Sequence, residues 1–191
     1  MGSKTFKGGI HPPYNKEHSR FLSIEEPSGS PEMIFPLSQH IGAPATAVVK
    51  VGDHVFAGQL IASASGFVSA NIHSSVSGTV TAIKPYMHPS GTEVMSIIIE
   101  NDFKYEKDPS VTASGPIDKL SPEEIVEIVR NAGIVGMGGA TFPTHVKLSP
   151  PADKKIDAVI VNGAECEPYL TSDHRVMLES PENVLPASVP E

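Results

Sequence analysis

The feature that most constrains the fold of this chain is the uneven placement of proline. The sequence holds 18 prolines, yet none lies between Pro44 and Pro85. Because proline lacks the N–H that a sheet ladder needs, a proline-free stretch between proline-containing segments indicates paired strands. We therefore predict a small all-β domain over residues 31–100. Its expected strands are β-branched runs separated by glycines, at residues 47–51, 55–56, 59–62, 67–72 and 78–83.

Charge and cysteine content exclude several functional classes. Lys and Arg number 14 against 22 Asp and Glu, which gives a formal charge of −8, and the basic residues are scattered. Nucleic-acid binding needs clustered cations, so we expect no nucleic-acid partner. The single cysteine allows neither an internal disulfide nor a C-x-x-C metal site, which favours a reducing compartment and no metal in this chain. The apolar runs are too short to cross a bilayer, so we expect no membrane span.

Residues 121–133 satisfy the sequence rules for a helix. Ser121 is placed to cap its first turn, Pro122 suits the first helical position, and Glu124 completes a capping box. Gly133 is expected to end the helix. The predicted apolar stripe consists of Ile125, Ile128, Val129 and Ala132.

A second apolar run, at residues 156–161, is bounded by Lys155 and Asn162. Such a run predicts a strand buried on both faces of a parallel sheet. A helix, a glycine loop, a strand and a polar loop in this order indicate an α/β architecture, which binds ligands beyond the carboxyl ends of its strands. We predict an incomplete α/β domain over residues 101–191 and an extended N-terminal arm over residues 1–30.

Two paired runs, at residues 49–61 and 72–80, resemble the barrel-sandwich hybrid of biotinyl and lipoyl domains. They read V-K-V-G-D-H-V-F-A-G-Q-L-I and I-H-S-S-V-S-G-T-V, in which glycines form turns and Val and Ile fill a flattened barrel. A swinging-arm carrier of this type needs a lysine between its two halves, but none occurs between Lys50 and Lys84. We therefore interpret the domain as a structural or docking barrel.

The glycine-rich segment at residues 133–148 reads G-I-V-G-M-G-G-A-T-F-P-T-H-V-K-L. Its glycines leave backbone N–H groups free to converge on an anion, and Lys147 supplies a positive charge suited to a phosphate. Phe142 can stack on a flat heterocycle. A plain turn is the alternative interpretation. The glycines concerned are Gly136, Gly138 and Gly139.

An acidic segment follows at residues 161–169, with the sequence V-N-G-A-E-C-E-P-Y. Asn162 offers an amide donor and acceptor pair for the edge of a ring, and Glu165 and Glu167 place carboxylates beside the predicted strand end. The alternative is an acidic surface turn. Acid–base catalysis or glycoside hydrolysis is disfavoured because no substrate platform accompanies the carboxylates.

These two segments resemble a known flavin site. G-M-G-G-A-T-F-P-T-H-V-K-L is similar to the flavin-binding glycine loop of the 51-kDa NADH-dehydrogenase subunit of respiratory complex I, G-R-G-G-A-G-F-P-T-G-x-K-W. N-G-A-E-C-E-P resembles its second flavin-site segment, N-A-D-E-S-E-P. With the leading barrel and the opening T-F-K-G-G-I-H-P, the chain from Lys4 to about Asn183 resembles the RnfC family of the Rnf ion-translocating electron-transport complex.

The resemblance implies a site for FMN and NAD(H) and assigns roles by position. The three glycines would approach the FMN, and Lys147 would meet its charged part. Asn162 and Glu165 would hold the flavin edge. Phe142 would stack on the nicotinamide dinucleotide, and Glu167 would help to place it.

Some positions depart from the complex I pattern. Met137 replaces an arginine and Ala164 an aspartate, so no contact is carried over to either. Cys166 takes a serine position and is expected to be a small packed residue. His145 and His174 lack metal-ligand spacing and are expected to have ordinary core or surface roles.

The resemblance also implies a larger protein. Members of the family are more than twice this long and end in Cys-rich motifs that hold two [4Fe–4S] clusters, so we interpret the chain as a truncated, inactive piece. The whole protein would be part of a ferredoxin:NAD oxidoreductase and would pass electrons from NAD(H) and FMN to the clusters. Its partners would be other Rnf subunits and, indirectly, ferredoxin, at the cytoplasmic side of the membrane. The alternatives are a related flavoprotein reductase of cobalamin or amino-acid reductase systems, and a non-catalytic docking module.

Overall fold

The computed structural model describes residues 8–10, 12–137, 139–151, 153–158 and 160–184. The chain divides into two packed units. The first is Ser28–Lys155, and the second combines Met1–Pro27 with Ile156–Glu191. The domain limits at residues 1–30, 31–100 and 101–191 rest on the sequence alone and stay predictions.

The first unit contains two antiparallel sheets. One has the strand order β1-β7-β6-β3 and the other β2-β4-β5. The all-β domain predicted from the proline pattern is therefore confirmed. The strands are β1 (Glu32–Pro36), β2 (Thr46–Ala47), β3 (His54–Val55), β4 (Leu60–Ser63), β5 (Ile72–His73), β6 (Gly78–Met87) and β7 (Glu93–Asn101).

One hydrophobic core draws side chains from both sheets. Ile61 comes from the smaller sheet, and Val55, Val80, Ile97 and Ile99 come from the larger one, all fully buried in one cluster. Burying such side chains is the main favourable term in folding, at about 1.5–3 kcal/mol each. Residues 31–100 therefore contain their own core, as the predicted barrel requires.

The observed strands depart from the predicted ones at several places. β1 and β7 lie outside the proline-free window and were not predicted, and β6 continues past residue 83 to Met87. Of the predicted strand at 47–51, only Ala47 belongs to a strand. Pro36 lies on β1, an edge strand, where a missing N–H leaves no ladder partner unsatisfied on the outer side. Pro85 pairs with Met95, in a part of β6 beyond the two residues that pair with β3. Of the predicted strand at 67–72, only the last residue belongs to a strand, and Phe67 is exposed.

The helix predicted at residues 121–133 is confirmed as α1 (Pro122–Asn131). The Ser121 hydroxyl accepts from the Glu124 N–H at 3.2 Å, and the Glu124 carboxylate accepts from the Ser121 N–H at 2.8 Å, which completes the capping box. Gly133 has a φ of 68° at the end of the helix. The other helices are α2 (Thr144–Lys147), α3 (Ser172–Glu179) and α4 (Pro181–Val184), with short 3₁₀ turns at Lys16–His18 and Ile117–Lys119.

The predicted buried strand at residues 156–161 is wrong for the residues that the structure describes there. Residues 156–158 and 160–161 form no strand. Ile156 is 60% exposed, Ile160 89% and Val161 68%. A strand buried on both faces needs a neighbouring strand for its backbone and covering helices for its side chains. None of the strands given above pairs with this run.

Candidate functional site

The glycine loop, residues 136–142, is closed by backbone hydrogen bonds in the first unit. The Gly136 N–H donates to the Phe142 carbonyl at 2.9 Å, and the Thr144 N–H donates to the Ile134 carbonyl at 2.9 Å. Helix α2 begins immediately after the loop. Gly136 and Gly139 therefore lie in a closed loop between α1 and α2, and Gly138 lies outside the described residues.

The fold itself does not require glycine at the two described positions of this loop. A Cβ on Gly136 would meet its nearest neighbours at 3.7–3.8 Å, which is ordinary van der Waals contact, and a Cβ on Gly139 would meet nothing within 4 Å. Neither residue has its backbone in the left-handed region. Since glycine carries an entropic cost, its use where the chain leaves room is the arrangement expected when something else approaches the backbone.

A positive charge lies beside this bared backbone. The Lys147 ammonium is 5.9 Å from the centroid of the Phe142 ring and 3.7 Å from the position of a Cβ on Gly136. Within the described residues, Lys147 makes no ion pair, and its side chain is exposed. An unpaired ammonium, open glycine backbone and an aromatic ring fit a flat heterocycle that carries a phosphate, such as FMN.

The acidic loop, residues 162–170, belongs to the second unit, where its polar side chains have mainly local partners. The Asn162 side-chain oxygen accepts from the Ala164 N–H at 3.0 Å, which forms an Asx turn. A Glu165 carboxylate oxygen accepts from the His174 N–H at 3.1 Å in the first turn of α3. Glu165 therefore satisfies a helix N-terminus, a role that the sequence interpretation missed. Glu167 is exposed.

The N-terminal arm holds the acidic loop through its backbone. The Lys16 ammonium donates to the Glu167 carbonyl at 3.2 Å and to the Leu170 carbonyl at 2.6 Å. The Tyr169 N–H donates to the Tyr14 carbonyl at 2.8 Å. The sequence interpretation missed these residues because their partners are more than 150 positions away and no local motif marks them.

A cleft of about 600 Å³ opens in the second unit between the arm and the acidic loop. Lys16 and Arg20 line it on the arm side, and Glu165 and His174 line it on the other. Cationic groups and a carboxylate thus line the same cleft. Of the predicted site residues in the acidic loop, Glu165 lines the cleft, and Asn162 and Glu167 do not.

Hydrogen bonding to a cation lowers the pKa of one carboxyl in the second unit. The Arg175 guanidinium donates to Glu179, one turn further along α3, and this contact holds the pKa of the Glu179 carboxyl below its ordinary value. The Ile24 N–H donates to the same carboxylate at 3.1 Å and acts in the same direction. The arm is therefore also fastened to α3.

Cys166 does not pack as the sequence interpretation expected. Its thiol is exposed in the acidic loop. The physical reason is that the arm bonds to the backbone carbonyls of this loop and leaves its side chains on the surface.

The two groups of predicted site residues belong to separate packed units, with residues 136–147 in one and residues 162–167 in the other. That they form one site stays a prediction.

Two family profiles match the chain in the order that its architecture suggests. Residues 4–104 match the RnfC barrel sandwich hybrid domain, and residues 129–188 match the Nuo51 FMN-binding domain. The chain is thus a barrel-sandwich hybrid domain followed by sequence of the FMN-binding class. Because the first profile covers more than half of the chain, the chain belongs to the RnfC family. The resemblance and the fold class stated from the sequence are confirmed.

Curated relatives agree with this assignment. The chain is 54% identical over 185 residues to the C subunit of the Na(+)-translocating ferredoxin:NAD(+) oxidoreductase complex of Acetobacterium woodii, covering 95% of this chain and 41% of the relative. It is 50% identical over 182 residues to the proton-translocating counterpart of Clostridium ljungdahlii, covering 95% and 40%. The C subunit of an ion-translocating oxidoreductase complex of Rhodobacter capsulatus is 45% identical over 186 residues, covering 96% and 36%. The chain spans well under half the length of these relatives.

Proposed function

We propose that this chain forms part of the FMN site of an RnfC-type protein. In the whole protein this site would serve electron transfer between NAD(H) and iron–sulfur clusters. The names of the relatives and the order of the two matched domains support the proposal. FMN, when bound, supplies the ability to exchange two electrons as a hydride and to pass them on singly. The chain supplies binding, orientation and charge.

The observation that carries the proposal is that glycines which the fold does not require lie beside an ammonium that makes no ion pair with the described residues. Gly136 and Gly139 have room for a side chain, so their bared backbone is explained by a ligand that approaches closely. Lys147 provides the charge that a phosphate group requires beside that backbone. A turn without a ligand would explain neither feature.

The remaining predicted residues would orient the rings. Phe142 is half-buried beside Lys147 and would stack on the nicotinamide dinucleotide. Asn162 and Glu165 would hold the flavin edge, and Glu167 would help to place the dinucleotide. The Glu165 carboxylate also accepts from the His174 N–H, a bond that favours one orientation of the carboxylate before any ligand binds.

The wider function is proposed from the relatives. The whole protein would act within a ferredoxin:NAD oxidoreductase that is coupled to ion translocation, together with other Rnf subunits and, through them, ferredoxin. Two [4Fe–4S] clusters would lie in the C-terminal region of the whole protein. Within the described residues, no helix is long and apolar enough to span a membrane. We propose a peripheral position at the cytoplasmic side of the membrane.

Titration of the whole protein with FMN, followed by flavin fluorescence, tests the proposal. Gly139→Ala leaves the packing intact, yet it would place a methyl group against the ligand, and we expect at least a tenfold increase in Kd. Lys147→Ala should weaken binding by about 10- to 150-fold, since a charge-assisted hydrogen bond contributes about 1.5–3 kcal/mol. Lys154→Ala removes the same charge from an exposed side chain outside the loop and should change nothing.

Two outcomes would contradict the proposal. Unchanged affinity in both Gly139→Ala and Lys147→Ala would show that FMN binds elsewhere. Absence of any FMN affinity in the unaltered whole protein would favour the docking module, in which the two loops are turns and the barrel mediates assembly.

A further inference from the structure

A segment of the barrel contacts the residues that flank the glycine loop on both sides. This segment, residues 64–71, which we call the platform, connects β4 to β5 within the first unit. We propose that the platform positions the glycine loop and thereby sets its affinity for FMN, with Asn71 and His145 as the positioning residues. The part of the proposal that concerns affinity rests on the function proposed above.

Asn71 joins the platform to the end of α1. Its side-chain oxygen accepts from the Ala64 N–H at 2.9 Å, and its amide nitrogen donates to the Asn131 carbonyl at 3.1 Å. One side chain thus holds the platform in shape and satisfies a carbonyl in the last turn of the helix. The last carbonyls of a helix have no partner within the helix, so this bond satisfies an acceptor that would otherwise lack one.

Gly133 brings the two backbones into direct contact at the same place. Its φ of 68° belongs to the left-handed region, and a Cβ there would collide with the Asn71 carbonyl oxygen. Only glycine permits both the conformation and the approach. The chain therefore enters the glycine loop from a point fixed against the platform.

His145 makes the corresponding contact after the loop. It lies in α2, is only 3% exposed, and its Nε2–H donates to the Phe67 carbonyl at 3.3 Å. Because a carbonyl can only accept, Nδ1 carries no proton in the neutral ring, and within the described residues this buried nitrogen has no partner. A buried polar atom without a partner lowers stability, and an apolar side chain at this position would avoid that loss. The presence of an imidazole is therefore explained by its hydrogen bond to the platform.

The platform is itself fixed to the barrel. Ser69 is fully buried, and its hydroxyl donates to the Ala43 carbonyl at 2.8 Å while it accepts from the Ser65 N–H at 3.1 Å. The Ser65 hydroxyl donates to the Pro44 carbonyl at 2.6 Å. The residues on both sides of the loop are therefore bonded to the platform, and the platform is in turn hydrogen-bonded to the rest of the barrel. This gives the barrel a role in cofactor binding that needs no lysine arm.

Hydrogen exchange of the full chain tests the positioning directly, without a ligand. Asn71→Asp keeps the acceptor for Ala64 but loses the donor to Asn131. We expect the amides of Gly136 and Thr144 to exchange about five- to tenfold faster in this variant, because one hydrogen bond holding the loop is lost. The amides of the β7 core strand should keep their protection.

His145→Leu should give the same result, and His145→Gln, which restores an N–H donor, should recover most of the protection. The matched control is Thr81→Val, which removes one side-chain donor to a carbonyl, that of Ile98, inside the barrel. It should leave the loop amides unchanged. Unchanged loop exchange in both Asn71→Asp and His145→Leu, or equally faster exchange in Thr81→Val, would overturn the proposal.

Flavin titration of the same variants then tests the consequence for the cofactor. We expect the Kd for FMN to rise about fivefold or more in Asn71→Asp and His145→Leu, with partial rescue in His145→Gln. A faster-exchanging loop with unchanged Kd would overturn the link to affinity. If the unaltered whole protein binds no FMN, the proposed function fails, and the exchange data alone still decide whether the platform positions the loop.

Discussion

Two β-branched runs of this chain differ in burial. In β7, Ile97 and Ile99 are fully buried, whereas Ile160 is 89% and Val161 68% exposed. Both runs have the composition of a buried strand. The difference shows that an apolar, β-branched pattern makes a segment suitable for burial. The segment is buried only where neighbouring strands pair with its backbone and other elements cover its side chains.

The partners of β7 lie within the first unit. Ile98 pairs with Ile34 of β1 on one side and with Ala82 of β6 on the other. The run at 160–161 has no such neighbours among the strands of the described residues. Its polar neighbours are instead arranged in an Asx turn and a helix cap, which need only local contacts.

The largest expected effect is a difference in the free energy of unfolding between variants of the two runs. Ile97→Ala should lower the free energy of unfolding by about 2–5 kcal/mol, because it leaves a cavity in a closed core. Ile160→Ala should change it by less than about 0.5 kcal/mol, because the side chain is already in water. Denaturant unfolding followed by circular dichroism measures both. A loss of similar size in the two variants would show that residue 160 is buried.

The junction between barrel and glycine loop should be the next most sensitive place. Gly133→Ala combines left-handed strain with a collision against Asn71, and should cost about 2–3 kcal/mol. Gly115→Ala is the matched control, since its φ is 92° but a Cβ there meets nothing, so only about 1–2 kcal/mol of strain is expected. Thermal unfolding of the two variants checks this order. Equal losses would mean that the contact with Asn71 adds nothing.

Helix α1 tests how far local structure survives without a core, since none of its residues is fully buried. Ser121→Ala removes the cap and should cost about 1 kcal/mol, whereas Ser121→Asp keeps an acceptor and should cost little. Helical circular dichroism during unfolding follows the change. If Ser121→Asp is as damaging as Ser121→Ala, the hydroxyl acts through something other than the cap.

The smallest expected effect concerns acid stability of the second unit. Because the folded pKa of Glu179 is lowered, its ionised carboxylate stabilises the fold above the ordinary glutamate range, and this contribution is lost as the pH falls through the folded pKa. Glu179→Gln and Arg175→Met should each flatten the acid limb of the stability profile. Unfolding measured between neutral and acidic pH checks this, and an unaltered acid limb in both would contradict it.

Much of the local structure could be predicted from residue order. The α1 cap, the glycine at its end and the all-β character of residues 31–100 follow from turn, cap and proline chemistry that acts over a few positions. The two segments that resemble a flavin site were recognisable because they carry unusual residues close together. The arm contacts of Lys16 and the platform contacts of Asn71 could not be predicted, because no local preference marks them.

The sequence alone determined where α1 is capped, where strands are possible and which loop is rich in glycine, because these depend on residues that are near neighbours in the chain. The tertiary structure decided that residues 97–99 are buried and 160–161 are not. It also decided that Asn71 bonds to the end of α1, that His145 bonds to Phe67, and that Lys16 bonds to the backbone of the acidic loop. Burial and long-range hydrogen bonds depend on groups far apart in sequence, and only folding brings them together.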